Sequence, residues 1–455
     1  MTETINSETV NRTLKQLVDS GRAKTFEEAE AILDGYRLQL HIDANHARLQ
    51  HGQIAALTAV ELARRVFLGG VYVSVELDAP AHPCIGHTGT LVDALLQAGA
   101  KIGTPGQTPV VSIGETTGVL ASGFHVRLVT CGWRAGIAPA SDHPGEVKGY
   151  VMPLASVAAA ALAVGEAFLS VSGISPLAGR RTLGISLWDP ATPAWASAAS
   201  DGPPLTYLPS DIWMLGLGHL GQAYAWCLGM LPYDTSATSK ARVIVQDTDS
   251  VSKSTESTSV VSRQTDVGRP KTRVVASWLE ERGFSTRLVE RLFEGDTRRG
   301  KSDPGVLLCG VDNPVARRLL DTVGFPFIVE AGLGSRFDDF QCARIHTFPG
   351  SRAAVDVWPL RQERAKEAPN GAYDALLREG RLDQCGVTTL AGKAVGAAFV
   401  GVFTAALAMS ELLRVLHGGH AHDVIDINLF DLEYRSVVPN RTDFASLNSG
   451  FVAAA

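Results

Sequence analysis

The chain has 455 residues, of which 45% are hydrophobic and 19% are charged, and its formal net charge at pH 7 is −6. This composition is typical of a globular protein and excludes a largely disordered chain, and the length predicts two domains or more. A nucleic-acid-binding protein would usually carry a basic surplus, so we expect no nucleic acid partner.

The cysteines and the N-terminal sequence indicate the compartment. The six cysteines include no CxxC pair, which argues against a structural zinc site and against a disulfide framework. The opening residues, MTETINSETVNRTLKQ, lack the apolar core of a signal peptide. Two alanine-rich stretches, residues 151–164 and 394–410, fall short of the ~20 apolar residues that cross a bilayer, and we interpret them as buried helices. We therefore expect a cytoplasmic protein with no membrane partner.

The first part of the chain divides into two predicted regions. Residues 1–66 form a polar, charged N-terminal segment whose apolar positions recur at three- and four-residue steps, which predicts helix. From residue 67 strands and helices alternate, which predicts parallel βαβ units in an α/β domain that ends at residue 205, inside a proline-rich stretch. The predicted elements of this domain are a strand at 71–77, a helix at 87–96, a strand at 125–130, a helix from 151 and a strand at 183–187.

The second predicted domain, residues 206–455, repeats this alternation more clearly, and its pattern predicts a Rossmann-like doubly wound sheet. Residues 128–133 (LVTCGW) resemble residues 307–313 (LLCGVDN). We interpret the two domains as distant copies, in which Arg134 takes the place of Asp312 and the first copy is degenerate. The predicted elements of the second domain are a strand at 211–215, a helix at 219–231, a strand at 241–246, a helix at 271–282, a strand at 305–309, a helix at 313–321 and a strand at 326–330.

A glycine motif follows the first strand of the second domain, with Gly216, Gly218 and Gly221 in the pattern G-x-G-x-x-G. Glycines at these positions let a phosphate approach bare amides at a helix N-terminus, where the helix dipole favours anions. Asp247 follows the next strand, where an acid typically accepts hydrogen bonds from a ribose, and Asp249 lies two residues further on. These features predict a nucleotide site but are shared by nicotinamide-, flavin- and ATP-binding proteins.

A basic cluster and a second acid separate these classes. Arg263 and Gln264 precede Lys271, and Asp312 and Asn313 follow a later predicted strand. Hydride transfer has no evident need for this set. Attack on an α-phosphate does, because it develops charge that Arg and Lys neutralise while an acid holds Mg²⁺. The combination favours ATP and Mg²⁺ over a nicotinamide cofactor.

The second domain resembles the ThiF/MoeB and ubiquitin-activating (E1-like) family of adenylating enzymes over residues 210–416. That family carries, in order, G-x-G-x-x-G, D-x-D-x-V, an R-Q pair, D-x-G-x-x-K and V-D-N. This chain supplies the series as GLGHLG, DTDSV, RQ, DVGRPK and VDN. The resemblance implies ATP-dependent adenylation of the C-terminal carboxylate of a ubiquitin-like protein.

The resemblance also implies roles for single residues. Asp247 would hold the ribose, and Asp312 would support Mg²⁺ or the phosphates. Arg263 and Lys271 would contact the ATP phosphates. In this family a basic residue often reaches the site from the partner half or subunit, and the sequence does not identify that residue. The nucleotide-binding set is completed by Gly216, Gly218, Gly221, Asp249, Gln264 and Asn313.

The chain departs from the family pattern at three points. Val260 stands where the family has an asparagine, three residues before Arg263, and the segment from Asp249 to Arg263 is longer than usual. The zinc-binding CxxC pairs of many relatives are missing, which disfavours a sulfur-carrier enzyme of the common bacterial type.

Cys385 stands in the sequence LDQCGVTT, ahead of the second alanine-rich stretch. Autophagy-type activating enzymes, which this segment resembles, place a cysteine there that takes the substrate as a thioester. A thiolate is a strong nucleophile near neutral pH, and an acyl-adenylate is a strong electrophile. Other relatives keep a Cys-Gly unit here for packing, so both interpretations stay open.

The whole chain looks similar to the inactive and active halves of ubiquitin-activating enzymes fused together, so we expect a pseudo-dimer within the chain or a homodimer. The expected partners are a ubiquitin-like protein and a conjugating enzyme. Bacterial conjugation systems used in phage defence contain enzymes of this general type, and this compact, zinc-free chain looks similar to them. The sequence leaves three alternatives open: a sulfur-carrier adenylyltransferase without thioester transfer, an NAD(P)-dependent oxidoreductase, and an inactive nucleotide-binding protein that docks another protein.

Overall fold

The structure is a computed structural model, and it describes residues 5–115, 119, 123–142, 149–237, 240–359 and 371–455. Within these residues, two large β-sheets enclose a layer of helices.

The first half of the chain forms one of these sheets. The strands are β1 (Arg37–Ile42), β2 (Gly70–Val75), β3 (Lys101–Ile102), β4 (Val110–Ile113), β5 (His125–Cys131), β6 (Arg134–Pro139) and β7 (Leu183–Ser186). The helices are α1 (Arg12–Asp19), α2 (Phe26–Gly35), α3 (Gln50–Ala63), α4 (Leu91–Gln97) and α5 (Pro153–Val171). The strand order is β3-β2-β1-β4-β5-β6-β7, and pairing is parallel up to β5 and antiparallel beyond it.

The second half forms the other sheet and a small two-stranded ladder. The strands are β8 (Tyr207–Pro209), β9 (Asp211–Leu215), β10 (Arg242–Gln246), β11 (Ser285–Val289), β12 (Val306–Cys309), β13 (Phe327–Leu333), β14 (Cys342–Phe348), β15 (His422–Asn428), β16 (Ser436–Pro439) and β17 (Phe451–Ala453). The helices are α6 (His219–Gly229), α7 (Lys271–Glu280), α8 (Pro314–Arg317), α9 (Ala354–Val357), α10 (Gly371–Arg378), α11 (Gln384–Ala391) and α12 (Ala398–Leu416). The large sheet has the order β11-β10-β9-β12-β13-β14-β15-β16, and β17 pairs with β8.

The two large sheets share one topology. In each, the first strand lies between the second and the fourth, and pairing turns antiparallel after the fifth. A first strand flanked by the second and the fourth is the arrangement of a doubly wound, Rossmann-like sheet. The predicted fold, with two such units in tandem, is confirmed.

The predicted alignment between the two halves is wrong by one strand. Cys131 ends β5, the fifth strand of its sheet, whereas Cys309 ends β12, the fourth strand of the other. The counterpart of β12 is β4, so Arg134 is not the counterpart of Asp312. A strand that ends in Cys-Gly occurs in each half, and the predicted alignment was wrong because it relied on this local similarity alone.

The interpretation of residues 1–66 as a helical segment is also wrong in part, because β1 is the central strand of the first sheet. Its polar residues Gln39 and His41 are buried together with its apolar ones. A central parallel strand is covered on both faces, so it does not show the alternation that marks a half-exposed strand. The first α/β unit therefore begins at Arg37.

Helices α3, α5, α6 and α12 form the layer between the sheets. α5 and α12 lie against each other, with the rings of Phe168 and Phe399 5.9 Å apart, and Trp226 Nε1 donates a hydrogen bond to Thr58 Oγ1 from α6 to α3. By length and composition α5 and α12 pass for membrane spans, but 89% of each apolar window is buried inside the protein. The interpretation of both as buried helices is confirmed.

We expect the shortening of a buried side chain in this layer to destabilise the whole chain. Phe399 is fully buried in α12, and Phe399→Ala should lower the free energy of unfolding by about 3–5 kcal/mol because it leaves a cavity between the halves. Guanidinium unfolding followed by circular dichroism would measure this loss. Phe451→Ala, at a ring that is 65% exposed, is the matched control, and an equal loss in both variants would contradict the prediction.

Candidate functional site

The loop that joins β9 to α6 carries the glycine motif. Gly216 has a φ of +80°, and a Cβ there would lie 2.7 Å from Val311 Cγ1. A Cβ on Gly221 would lie 1.8 Å from the carbonyl oxygen of Gly216. These two glycines are required by the turn itself, whereas Gly218, the N-cap of α6, has no heavy atom within 4 Å of the position of a Cβ. The turn presents the first amides of α6 without helical acceptors, as an anion would require.

A cleft of about 990 Å³ opens at the carboxyl ends of β9, β10 and β12, where the strand order reverses. Among the residues predicted from sequence, those that line it are Gly216, Gly218, Asp247, Asp249, Lys271, Asp312 and Asn313. The lining does not include Gly221, Arg263, Gln264 or Cys385.

Asp247 braces the glycine loop. Its Oδ2 accepts a hydrogen bond from the Leu217 amide at 2.6 Å, and its Oδ1 accepts one from the Asp249 amide at 2.8 Å. Lys271 Nζ donates to Asp249 Oδ2 at 2.8 Å. These contacts hold two carboxylates and one ammonium beside the phosphate-binding amides.

Asp312 and Asn313 lie on the loop after β12. The Asn313 side chain caps α8 by accepting a hydrogen bond from the Val315 amide at 2.8 Å. Asp312 is exposed, and its carboxylate has no hydrogen bond or ion pair within the described ranges of the chain. An unpaired carboxylate at this edge of the sheet is available to a cation.

The structure places Arg263 and Gln264 away from the cleft lining. The Arg263 guanidinium is ion-paired with Glu61 of α3, in the first half of the chain, and Gln264 is exposed. Glu61 is buried, which by itself would raise its pKa, but Arg65, Arg64 and Arg263 hold that pKa below its usual value. The buried carboxylate of Glu61 needs compensation and binds the guanidinium, and the phosphate contacts of Arg263 and Gln264 stay a prediction.

The loop before Arg263 is anchored from both halves. Arg65, which is fully buried, donates to the carbonyl oxygens of Ser259, Val260 and Ser262. Gln222 of α6 accepts a hydrogen bond from the Ser262 amide at 2.8 Å. The segment that departs from the family pattern in sequence therefore forms one of the contacts between the halves.

Basic residues that the sequence did not single out also line the cleft. Each lies in a different part of the chain, so no motif spacing joins them, and only the fold brings them together. They are Lys15 on α1, Arg291 after β11, Arg317 on α8, Arg336 after β13 and Lys393 after α11.

Lys15 reaches the cleft because the N-terminal segment lies across the second half. The Ser254 amide donates to the carbonyl oxygen of Glu8 at 2.7 Å, and Thr13 Oγ1 donates to that of Gly396 at 3.0 Å. This segment precedes the first sheet in sequence, yet it is fastened to the loop after β10 and to the linker before α12.

His219 follows Gly218 and is enclosed by α12. A Cβ on Gly401 would lie 2.4 Å from its Nε2, and that nitrogen has no hydrogen-bond partner in the described part of the chain. Burial lowers the pKa of His219 to about 4, against the opposing effect of backbone hydrogen bonds at Ala397 and Ala398. The ring is therefore neutral at pH 7 and adds no positive charge to the glycine loop.

Cys385 lies in the first turn of α11, which is capped by Asp383, and it is exposed. Ala391, at the other end of α11, lines the cleft, so the helical rise separates Cys385 from the cleft wall by about 9 Å along the axis. Cys227 and Cys309 are buried, and burial raises the pKa of Cys309 to about 12. Of the thiols described, that of Cys385 is the exposed one.

Two parts of the chain match protein families. Residues 37–187 match the family described as BilD N-terminal domain, and residues 208–419 match the family described as BilD C-terminal domain. The bacterial E1-like protein BilD of Collimonas sp. (strain OK412) is 40% identical over 446 residues, which are 95% of this chain and 95% of that protein.

Among solved structures, E. coli MccB with MccA-N7isoASN has a TM-score of 0.35 at 15% identity, and the match covers 51% of this chain and 64% of the MccB chain. E. coli MccB with ATP has a TM-score of 0.33 at 13% identity and covers 52% and 65%. The match thus spans under two thirds of the length of these MccB chains.

The paired Rossmann-like sheets and the cleft at the glycine loop define a protein of the E1-like adenylating class. The chain belongs to the BilD family of bacterial E1-like proteins.

We expect His219 to contribute to the pH dependence of stability. Its folded pKa of about 4 lies below the unfolded value of 6.5, so the unfolded state binds the proton first as the pH falls. The contribution of His219 to the free energy of unfolding is fully present above pH 6.5. As the pH falls from 6.5 to 4, up to about 3 kcal/mol of it is lost.

Urea unfolding of His219→Gln from pH 7 to pH 4.5 would test this. The variant should lose less stability over that range than the original chain, whereas His420→Gln, at an exposed histidine, should follow the original chain. Parallel curves for His219→Gln and the original chain would contradict the assigned pKa.

Proposed function

We propose that this chain uses ATP to adenylate the C-terminal carboxylate of a ubiquitin-like protein. The observation that carries the proposal is the cleft at the switch point of the second sheet, where the glycine loop, Asp247, Lys271 and the unpaired Asp312 come together. Membership of the BilD family of E1-like proteins supports the same reaction class.

The residues of the cleft fit a nucleotide. Gly218 leaves room for a phosphate above the first amides of α6, and those amides have no helical acceptors. Asp247 would accept hydrogen bonds from the ribose hydroxyls while it braces the loop through Leu217. Asp312 would hold Mg²⁺, a hard cation that prefers carboxylate oxygens.

The charge of the cleft suits a polyphosphate. Six basic side chains and four carboxylates are among the residues described there, although the whole chain has a formal net charge of −6. Each of the six basic side chains is ion-paired with a carboxylate in the described part of the chain, so a polyphosphate would replace those carboxylates as their partner. The cations would then stabilise charge that develops on the α-phosphate during attack by the carboxylate. The substrate's carboxylate oxygen would form the new bond to that phosphorus, and pyrophosphate would leave with the electrons of the broken P–O bond.

Lys15 is our candidate for the basic residue that comes from the other half of the fold. It lies on α1, ahead of the first sheet, and it lines the cleft of the second sheet. Its ammonium would neutralise phosphate charge that Arg263, held by Glu61, does not reach.

Cys385 would then take the acyl group as a thioester, releasing AMP, before transfer to a conjugating enzyme. The thiol is exposed and stands about 9 Å along α11 from the cleft wall, so α11 would have to move before attack. A cytoplasmic location and a role in defence against phages, both expected from the sequence, are part of this proposal.

ATP–pyrophosphate exchange, measured with candidate ubiquitin-like proteins, tests the adenylation step. Asp312→Asn should slow exchange by about a hundredfold or more, because it removes the carboxylate that holds Mg²⁺ opposite the developing charge. Asp431→Asn, at a partly exposed aspartate outside the cleft lining, is the control and should exchange at the original rate. Absence of exchange in the original chain together with binding of NADH would refute the adenylation proposal.

Cys385→Ser tests the second step separately. This variant should keep ATP–pyrophosphate exchange, and its covalent adduct with the ubiquitin-like protein should change from a thiol-sensitive thioester to an ester that survives reducing agent. Cys342→Ser, at another partly exposed cysteine, should retain the thiol-sensitive adduct. A reducible adduct that persists in Cys385→Ser would remove Cys385 from the mechanism and favour an adenylyltransferase without transfer to this thiol.

A further inference from the structure

Lys15 is held at the cleft wall by two other residues. It is ion-paired with Asp19, one turn further along α1, and its Nζ lies 5.7 Å from the ring centroid of Tyr373 on α10. The Tyr373 hydroxyl donates a hydrogen bond to Asp19 Oδ1 at 2.6 Å. All three residues line the cleft, and they join α1 to α10.

The burial of these groups makes their contacts strong. The Lys15 side chain is 3% exposed, and Tyr373 is buried. A lysine has a flexible stem and a strongly hydrated ammonium, which usually extends to solvent. It stays at a buried wall only if a carboxylate and a ring face compensate the lost water, and Asp19 and Tyr373 supply both.

Tyr373 is also the point at which α10 is fastened to the N-terminal helices. Its ring meets Phe26 of α2 edge-on at 5.5 Å, and Arg381, between α10 and α11, is ion-paired with Glu27. The helix that follows Arg381 carries Cys385. The contacts that hold Lys15 are therefore among those that hold α10 and, through it, the Cys385-bearing helix α11.

We propose that Asp19 and Tyr373 are positioning residues that fix the Lys15 ammonium at the cleft wall and thereby tie helices α10 and α11 to α1. This inference rests on the proposed function for the role of Lys15. A phosphate in the cleft competes with Asp19 for the ammonium, so occupancy of the cleft loosens the ion pair of Lys15 with Asp19 and its contact with the ring of Tyr373. The position of the Cys385 helix then depends on what Lys15 binds.

The test compares Tyr373→Phe with Tyr233→Phe in the full chain. Both changes remove one hydroxyl that donates a hydrogen bond, but Tyr233 donates to the carbonyl oxygen of Pro209, outside the cleft lining. The first readout is amide hydrogen exchange of residues 371–391 without nucleotide. We expect exchange in this segment to quicken by about tenfold in Tyr373→Phe, because a hydrogen bond to a charged group is lost. We expect no change in Tyr233→Phe.

The second readout is a double-mutant cycle on ATP–pyrophosphate exchange. Tyr373→Phe should lower kcat by about tenfold, and Lys15→Met with Tyr373→Phe together should be no slower than Lys15→Met alone, because both act through one ammonium. Lys15→Arg, which keeps the charge, should retain more activity than Lys15→Met.

The outcomes separate this inference from the proposed function. An original chain without exchange activity refutes the proposed function, and the hydrogen-exchange readout still tests the tie between α1 and α10. Equal behaviour of Tyr373→Phe and Tyr233→Phe in an active chain overturns the positioning role. Additive losses in the double variant overturn it too, because Tyr373 then acts independently of Lys15.

Discussion

The burial of two apolar helices is the constraint on which the rest of the structure depends. α5 and α12 each have 19 residues, and almost all of these are buried. The sheet of its own half cannot cover the whole apolar surface of either helix. The two helices therefore lie against each other, and α3 and α6 complete the layer. This contact fuses the halves into one core, and a half without a glycine motif remains necessary because it covers the half that has one.

The first half shows what replaces a glycine loop. At the end of β1, in the position of the glycine loop after β9, Asp43 accepts hydrogen bonds from the His46 amide, the His46 ring and the Glu115 amide. Burial opposes the charge of Asp43, but these donors lower its pKa to about 2. A side-chain carboxylate of the first half thus occupies amides at its own switch point, where an anion would otherwise bind. The two sheets share one strand order, but the switch point of the second sheet is an open cleft, whereas side chains fill that of the first.

The cleft draws on distant parts of the chain. Glu61 of α3 holds Arg263, Arg65 anchors the loop before it, and Lys15 of α1 lies in the cleft wall. The contacts between halves therefore determine which cations reach the cleft. Arg263 carries the family's motif but is bound to a carboxylate of the first half, whereas Lys15 carries no motif and lies where a phosphate would need it.

The sequence by itself determined the Rossmann-like class, the place of the glycine loop, and the acids Asp247 and Asp312, because each depends on local spacing between one strand and the turn that follows it. It did not reveal β1, since a central parallel strand buries Gln39 and His41 on both faces, nor the antiparallel strands β14 to β16, whose pairing is not local. Only the tertiary structure decided that Arg263 pairs with Glu61 and that Lys15, Arg317 and Lys393 share a cleft. Those residues lie far apart in the sequence. The pairing of their charges depends on burial and proximity in the fold, which the spacing of residues along the chain does not reveal.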